Sequence, residues 1–231
     1  MEINVLKKIL SANDAVAEVT RNLFSNKKVF AVNLMGSPGS GKTAIIETTI
    51  KLLKGRYRIG VIEGDIFSSM DAERISILKV PVVQINTGPF GGDCHLEAGW
   101  VKDAALSLNL KEIDILFIEN VGNLVCPAEF DTGAHTNVVI LSLPEGEDKP
   151  IKYPLMFRTC EVMLLNKMDL RNVLKMDIDK LQQNANQINP SLTSFRVSAT
   201  DGEGFAMWTE WLRSRYESFL ESLELSSKTS K

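Results

Sequence analysis

The stretch GSPGSGKT, residues 36–43, has the spacing Gly-x-x-x-x-Gly-Lys-Thr. The apolar run VFAVNLM precedes it and AIIETTIKLLKG follows, so it reads as the turn between a strand and a helix. Gly36, Gly39 and Gly41, with Ser37 and Ser40 between them, let backbone N–H groups close around phosphate oxygens, and the helix adds its positive N-terminus. Lys42 is placed to reach the β- and γ-phosphates, and the Thr43 hydroxyl to ligate Mg²⁺. Two strands then end on acids. Asp65 closes VIEGD and Glu119 closes ILFIE, with Gly122 three residues on. A carboxylate beside a phosphate loop holds Mg²⁺ directly or through water. Asp65 is therefore assigned to the Mg²⁺ shell with Thr43, Glu119 to a similar role, and the Gly122 N–H to the γ-phosphate. No glutamine stands after Gly122 to orient a water. Asp65 or Asp71 is left to do so, which suits a slow hydrolase.

A second chemistry sits nearby. The chain has three cysteines and two histidines, and Cys94 and His95 are adjacent in GGDCHLEAGW, before an expected helix at 95–109. Helix N-terminal N–H groups favour a thiolate. Cys126 lies in ENVGNLVCPAEF, seven residues past Glu119. In an α/β nucleotide fold both loops leave the same edge of the sheet, so Cys94, His95 and Cys126 are expected to converge. Two thiolates and an imidazole suit Ni²⁺ or Zn²⁺ and not Mg²⁺. A fourth position stays open to a water or to the same loop of a second subunit. Cys160 reads as core, and His135 in DTGAHTN as a surface-loop residue.

These residues need a frame to position them. Residues 3–24 carry apolar side chains at helical spacing, and short apolar runs alternate with helical patterns to the end. Runs apolar throughout, rather than alternating, belong to a sheet buried on both faces and mostly parallel. The reading is one α/β domain over residues 1–225, with an N-terminal helix and about seven strands flanked by helices, and a disordered polar tail at 226–231. Ligands are expected at the carboxyl ends of the strands. The composition, 44% hydrophobic and 24% charged in 231 residues, is that of a globular protein. A net charge of −3 argues against nucleic acid as a partner. No apolar stretch approaches the roughly 20 residues that span a bilayer. An odd cysteine count without a secretory signal places the chain in a reducing cytoplasm, with no disulfide framework.

The nucleotide base is addressed by NKMD, residues 166–169, at the end of a late strand. It resembles the base-reading motif of regulatory GTPases: Asp169 accepts from guanine N1–H and N2–H₂, while Asn166 and Lys167 brace the loop. Ser198 and Ala199, in SAT, resemble their second guanine loop. GTP and GDP are thus the expected nucleotides.

Taken in order, GSPGSGKT, EGD…DAERI, CHLEA, IENVGNLVCPAEFD and NKMD resemble the nickel-insertion GTPases of hydrogenase maturation, the HypB family. The likeness runs from about residue 3 to 220. It implies a P-loop fold of the SIMIBI type and a homodimer formed on GTP binding. It further implies Ni²⁺ or Zn²⁺ at the dimer interface on Cys94, His95 and Cys126, and nickel delivery to a hydrogenase large-subunit precursor coupled to GTP hydrolysis. A small zinc-binding accessory protein would assist. Glu97 and Ser68 stand where the family pattern has Asp and Thr, each keeping the functional group. The alternative is a P-loop kinase or ATPase with structural cysteines, or a related metal-insertion GTPase serving another nickel enzyme.

Overall fold

In the computed structural model, residues 2–66, 69–90 and 94–229 are described. The chain runs α1 (Glu2–Asn26), β1 (Phe30–Gly36), α2 (Lys42–Leu53), β2 (Ile59–Asp65), α3 (Met70–Ser76), β3 (Val82–Asn86), α4 (Ala98–Ser107), β4 (Ile115–Glu119) and β5 (Thr136–Ser142). It continues through α5 (Lys149–Lys152), α6 (Pro154–Arg158), β6 (Val162–Asn166), α7 (Ile178–Ile188), β7 (Thr193–Arg196) and α8 (Phe205–Thr229).

All seven strands are parallel, in the order β3-β2-β4-β1-β5-β6-β7. β1 is the switch point: the chain builds outward on one side of it and then crosses to the other. Loops after the strands flanking such a point splay apart and leave a crevice. The central strands β1, β4 and β6 are buried along their whole length, in keeping with their mostly apolar sequences. Successive residues of β1 serve opposite faces. Phe30, Val32 and Leu34 pack with Ile45, Ile46 and Ile50 of α2 and Trp208 and Leu212 of α8. Ala31 packs with Phe24 of α1 and Val101 of α4, and Met35 with Met156 and Leu181 beyond β6. Among the described residues, no helix is long and apolar enough to cross a membrane.

Two boundaries differ from the sequence reading. α4 begins at Ala98, with Glu97 extended at its N-cap, so Cys94 and His95 lie in the turn ahead of the helix rather than at its first N–H groups. The short helices α5 and α6, each with a proline in its first turn, fill the β5–β6 connection. The tail expected to be disordered from 226 continues α8 to Thr229, because no glycine or proline interrupts it and the Ser226 hydroxyl donates back to the Ser222 carbonyl. Ser230 and Lys231, like Ser68 of the loop after β2, lie outside the described residues.

Candidate functional site

The β1–α2 turn folds as the glycine spacing demands. Gly41 sits at φ 97°, left-handed, and a methyl there would strike the Asn166 side-chain amide. That approach ties the phosphate loop to the NKMD loop: Asn166 Nδ2 donates to the Ser40 carbonyl (2.9 Å) and Lys167 Nζ to the Gly39 carbonyl (2.7 Å). Lys42 is buried, its Nζ donating to the carbonyls of Gly36 and Ser37 (3.4 Å each). Burial holds its pKa below the usual lysine range, with Glu119 opposing. These are the contacts of a lysine waiting for a stronger acceptor.

An open cleft of about 410 Å³ lies in front of it, lined among others by Pro38, Lys42, Thr43, Glu63, Asp65 and Glu119. The Thr43 hydroxyl donates to Glu119 Oε1 (2.8 Å), while Glu119 Oε2 is buried without a hydrogen bond. Burial raises the Glu119 carboxyl to about 7, against the pull of Lys42 and the Thr43 hydroxyl. Glu63, absent from the sequence reading, lies opposite Glu119 in the β2–β4 register. Burial, then repulsion from Glu119 and Asp65, raises it to about 8. An all-oxygen set of Thr43, Asp65 and Glu119, with a buried oxygen lacking a donor, fits a hard divalent cation such as Mg²⁺.

On the base side, Ser198 is fully buried and donates from its hydroxyl to Asp169 Oδ1 (2.9 Å). The Ala199 N–H donates to Asn166 Oδ1 (3.3 Å). The two sequence stretches assigned to guanine thus meet, and Ser198 holds the Asp169 carboxylate in place.

The sulfur site lies beyond β4. Cys94 and Cys126, 32 residues apart in sequence, come together with Cα atoms 6.2 Å apart and are joined as a disulfide. This departs from the expectation of free thiols: the loops do converge, and sulfurs so close bond to each other when oxidised or share a metal when reduced. His95 is buried with its ring stacked on Phe130, centroids 3.7 Å apart. Cys160 is buried and free, and burial pushes its thiol far up. His135 does lie in a loop, the bend ahead of β5, but its ring is half-buried and packed rather than free at the surface. Its Nδ1 accepts from the Ala31 N–H (3.0 Å), Nε2 meets Ser25 Oγ (3.0 Å), and its ring stacks on Phe30.

Two connections join the phosphate and sulfur sites. Gly122 lies so close to Pro38 of the phosphate loop that a Cβ would meet three Pro38 atoms within 3.0 Å. The next residue, Asn123, donates its N–H to the Gly36 carbonyl (3.0 Å) and its amide approaches Cys126 Sγ (3.7 Å). On the other side, Asn120 Oδ1 accepts from the Leu96 N–H (3.2 Å), while its Nδ2 donates to Asn33, which donates to Asn137 (3.2 and 2.9 Å). This asparagine ladder crosses β1 and β5 beneath the site. The sequence carries no pattern that announces it.

The chain is similar to known proteins over most of its length. Residues 30–196 match the family model described as "CobW/HypB/UreG, nucleotide-binding domain". The hydrogenase maturation factor HypB of Escherichia coli K12 is 46% identical over 215 residues, covering 93% of this chain and 72% of that protein. A probable HypB of Methanocaldococcus jannaschii is 42% identical, covering 91% and 94%. Among solved structures, HypB from Helicobacter pylori in complex with nickel superposes with TM-score 0.85 at 33% identity, covering 90% of this chain and 96% of that one. The Archaeoglobus fulgidus HypB structure gives 0.82 at 35% identity, covering 89% and 99%. The signal recognition particle receptor FtsY of Elizabethkingia anophelis, at 14% identity and TM-score 0.51 over 78% of this chain and 65% of that one, shares the fold alone, that of the SIMIBI class.

Proposed function

The chain belongs to the HypB family of hydrogenase maturation factors, within the CobW/HypB/UreG group, and from that premise we propose that it is a slow, Mg²⁺-dependent GTPase that carries nickel. The observation that carries this reading is the meeting of Cys94 and Cys126 on loops braced against the phosphate loop. Gly36, Ser37, Gly39, Ser40 and Gly41 cradle the phosphates, and Lys42 neutralises charge on the transferring group. Thr43 and Asp65 hold Mg²⁺, with Glu119 adjoining. When bound, Mg²⁺ neutralises the phosphate oxygens. The Thr43 hydroxyl, which donates to Glu119, would turn its oxygen to the ion, and Gly122 would offer its N–H to the γ-phosphate. Asn166, Lys167, Asp169, Ser198 and Ala199 read guanine. Asp169 accepts two hydrogen bonds that adenine cannot donate, the kind of pairing that rejects a wrong partner strongly.

Nickel is cargo. In the reduced chain the thiolates of Cys94 and Cys126, with His95, offer it a soft donor set, with Zn²⁺ as the competing ion. The nickel-bound H. pylori relative supports this assignment. GTP binding closes a homodimer around the metal, and hydrolysis opens it for delivery to a hydrogenase large-subunit precursor, aided by a small zinc-binding partner in the cytoplasm. The chain folds as one domain, whose last helix runs on to Thr229.

Sedimentation equilibrium of the reduced chain with a non-hydrolysable GTP analogue or GDP, with and without Ni²⁺, tests this. The expected result is a dimer with the analogue, more monomer with GDP, and nickel in the dimer fraction that is lost in Cys126→Ala. A monomer under every condition, full nickel stoichiometry in Cys126→Ala, or displacement of labelled GDP by equal ATP would refute it.

A further inference from the structure

Among the described residues the phosphate cleft is lined by four carboxylates, Glu63, Asp65, Asp71 and Glu119, and two cations, Lys42 and Arg74. Strand alternation puts residues 61, 63 and 65 of β2 on one face. That is the face of Phe117 and Glu119 on β4, as the pairings Val61↔Phe117 and Glu63↔Glu119 show. Val61 and Phe117 pack into the core under α2 and α8. Further along the same face the strands present Glu63, Asp65 and Glu119 to the cleft, and α3 brings Asp71 over them. Among the described residues, one group of three such side chains has all its ligand atoms within 4.8 Å of one another: Glu63, Asp65 and Asp71.

A cluster of surface acids would mean little. Glu63 is different: it is 1% exposed, and its Oε2 is buried with no hydrogen-bond partner. Native chains seldom leave such an atom unanswered. The cations lining the cleft are Lys42 and Arg74. Lys42 donates to two backbone carbonyls, and Arg74 to Glu47 and Asp71. Neither donates to Glu63.

We propose that Glu63, Asp65 and Asp71 form a binding site for a hard divalent cation, Mg²⁺ or Mn²⁺, that the chain fills without nucleotide. Oxygen donors alone, three of them carboxylates, suit an ion that keeps waters to complete its shell. They are a poor match for the soft cargo that sulfur attracts. Thr43 is not among the ligands, because its hydroxyl is turned to Glu119 Oε1. The site borrows its place in the cleft from the nucleotide reading, but its occupancy does not depend on it. An ion held there lowers the repulsion that an incoming polyphosphate meets. It also places a divalent charge on Asp65, the residue assigned to the nucleotide's own Mg²⁺.

The test is a titration of Mn²⁺ into the reduced, nucleotide-free full-length chain, reading free aquated Mn²⁺ by electron paramagnetic resonance. One bound ion per chain, displaced by Mg²⁺, is expected. Glu63→Gln keeps the shape of the buried side chain and should weaken binding at least tenfold. Asp71→Asn, on the partly exposed α3, should do the same without disturbing the core. Thr43→Ala should bind Mn²⁺ like the parent. The proposal fails if Mn²⁺ binds only after GDP is added, or if both acid variants bind with unchanged affinity. It fails equally if Thr43→Ala abolishes nucleotide-free binding, which would move the ion to the phosphate loop. Ni²⁺ displacing Mn²⁺ at equal concentration in a Cys94→Ala, Cys126→Ala background would overturn the hard-ion assignment. Labelled-GDP binding is measured separately: its absence would end the nucleotide reading and leave the cation site standing.

Discussion

Burial decides the protonation state of His135. Its Nδ1 accepts the Ala31 N–H, which puts the ring proton on Nε2, facing the Ser25 hydroxyl. Burial, with a smaller contribution from Arg21, pushes its pKa down to about 4. The unfolded chain takes up that proton near pH 6.5. Between those values the unfolded form binds a proton that the folded form refuses. The stabilisation is therefore present above pH 6.5 and lost as pH falls toward 4, by up to about 3 kcal/mol. Urea midpoints measured from pH 7.5 to 4.5 should fall, and His135→Asn, which cannot titrate, should show a flatter profile. Equal slopes in parent and variant would place the acid sensitivity elsewhere. The same residue marks where sequence reading stops. Gly41, Lys42, Asn166 and Asp169 could be singled out because phosphate and guanine chemistry would demand those types at that spacing, and the structure brings their loops together. His135, Glu63 and the Asn33–Asn120–Asn137 ladder were not. A single polar side chain within an apolar strand or in the bend beside one has no period, and only the neighbours that the fold supplies tell what it meets.

At the scale of elements, α8 holds the nucleotide end of the molecule to the opposite end. It starts beside the SAT loop. The Trp208 indole, fully buried, donates to the Thr49 hydroxyl of α2 (3.0 Å), and Thr49 passes its own hydroxyl hydrogen to the Ile45 carbonyl (2.7 Å). Farther along, Tyr216 reaches Asp114 and Phe219 packs on Phe30 and His135. The helix after the phosphate loop is thus clasped by the last helix of the chain. Trp208→Phe keeps most of the packing and leaves the Thr49 oxygen without its donor, so about 1 kcal/mol of stability should be lost. Trp208→Ala should cost roughly 3–5 kcal/mol. Urea unfolding followed by far-ultraviolet circular dichroism reads both, and equal losses would mean that ring volume plays no part. This helix was readable in the sequence because Phe205, Trp208 and Leu212 recur at helical spacing, and the central strands because each is a mostly apolar run. The start of α4 was not, since Leu96 and Ala98 continue the apolar spacing across a turn that long-range contacts fix, the Leu96 N–H donating to Asn120 Oδ1 and the Ala98 N–H to Asn13 Oδ1. Nor was the end of α8, where polar residues say nothing against a helix already begun.

At the scale of the whole molecule, the β1–α2 loop and the Cys94–Cys126 pair share one edge of the sheet, and the path between them is short. Glu119 ends β4 in the phosphate cleft; Asn120 holds the loop of Cys94; Gly122 rests on Pro38; Asn123 bonds to the Gly36 carbonyl and touches the sulfur of Cys126. A γ-phosphate that draws the Gly122 N–H inward must move Asn123, and with it one of the two thiols. Coupling of this kind is reciprocal: whatever factor GTP applies to nickel affinity, nickel applies to GTP affinity. The reduced chain should therefore bind Ni²⁺ with an affinity that differs between GTP analogue and GDP by roughly five- to a hundredfold, the usual range for such linkage. The oxidised chain should bind no Ni²⁺ at the sulfur pair, because a disulfide offers no thiolate. Asn123→Ala removes the side chain that touches Cys126 but leaves the Gly36 bond, which its backbone supplies. It should bring the analogue-to-GDP ratio of nickel affinities toward one while GDP binding persists. Calorimetric titration of Ni²⁺ into each nucleotide complex measures that ratio. A parent ratio of one would show that the two sites are merely neighbours, and an unchanged ratio in Asn123→Ala would route the coupling through Asn120 and the Cys94 loop instead.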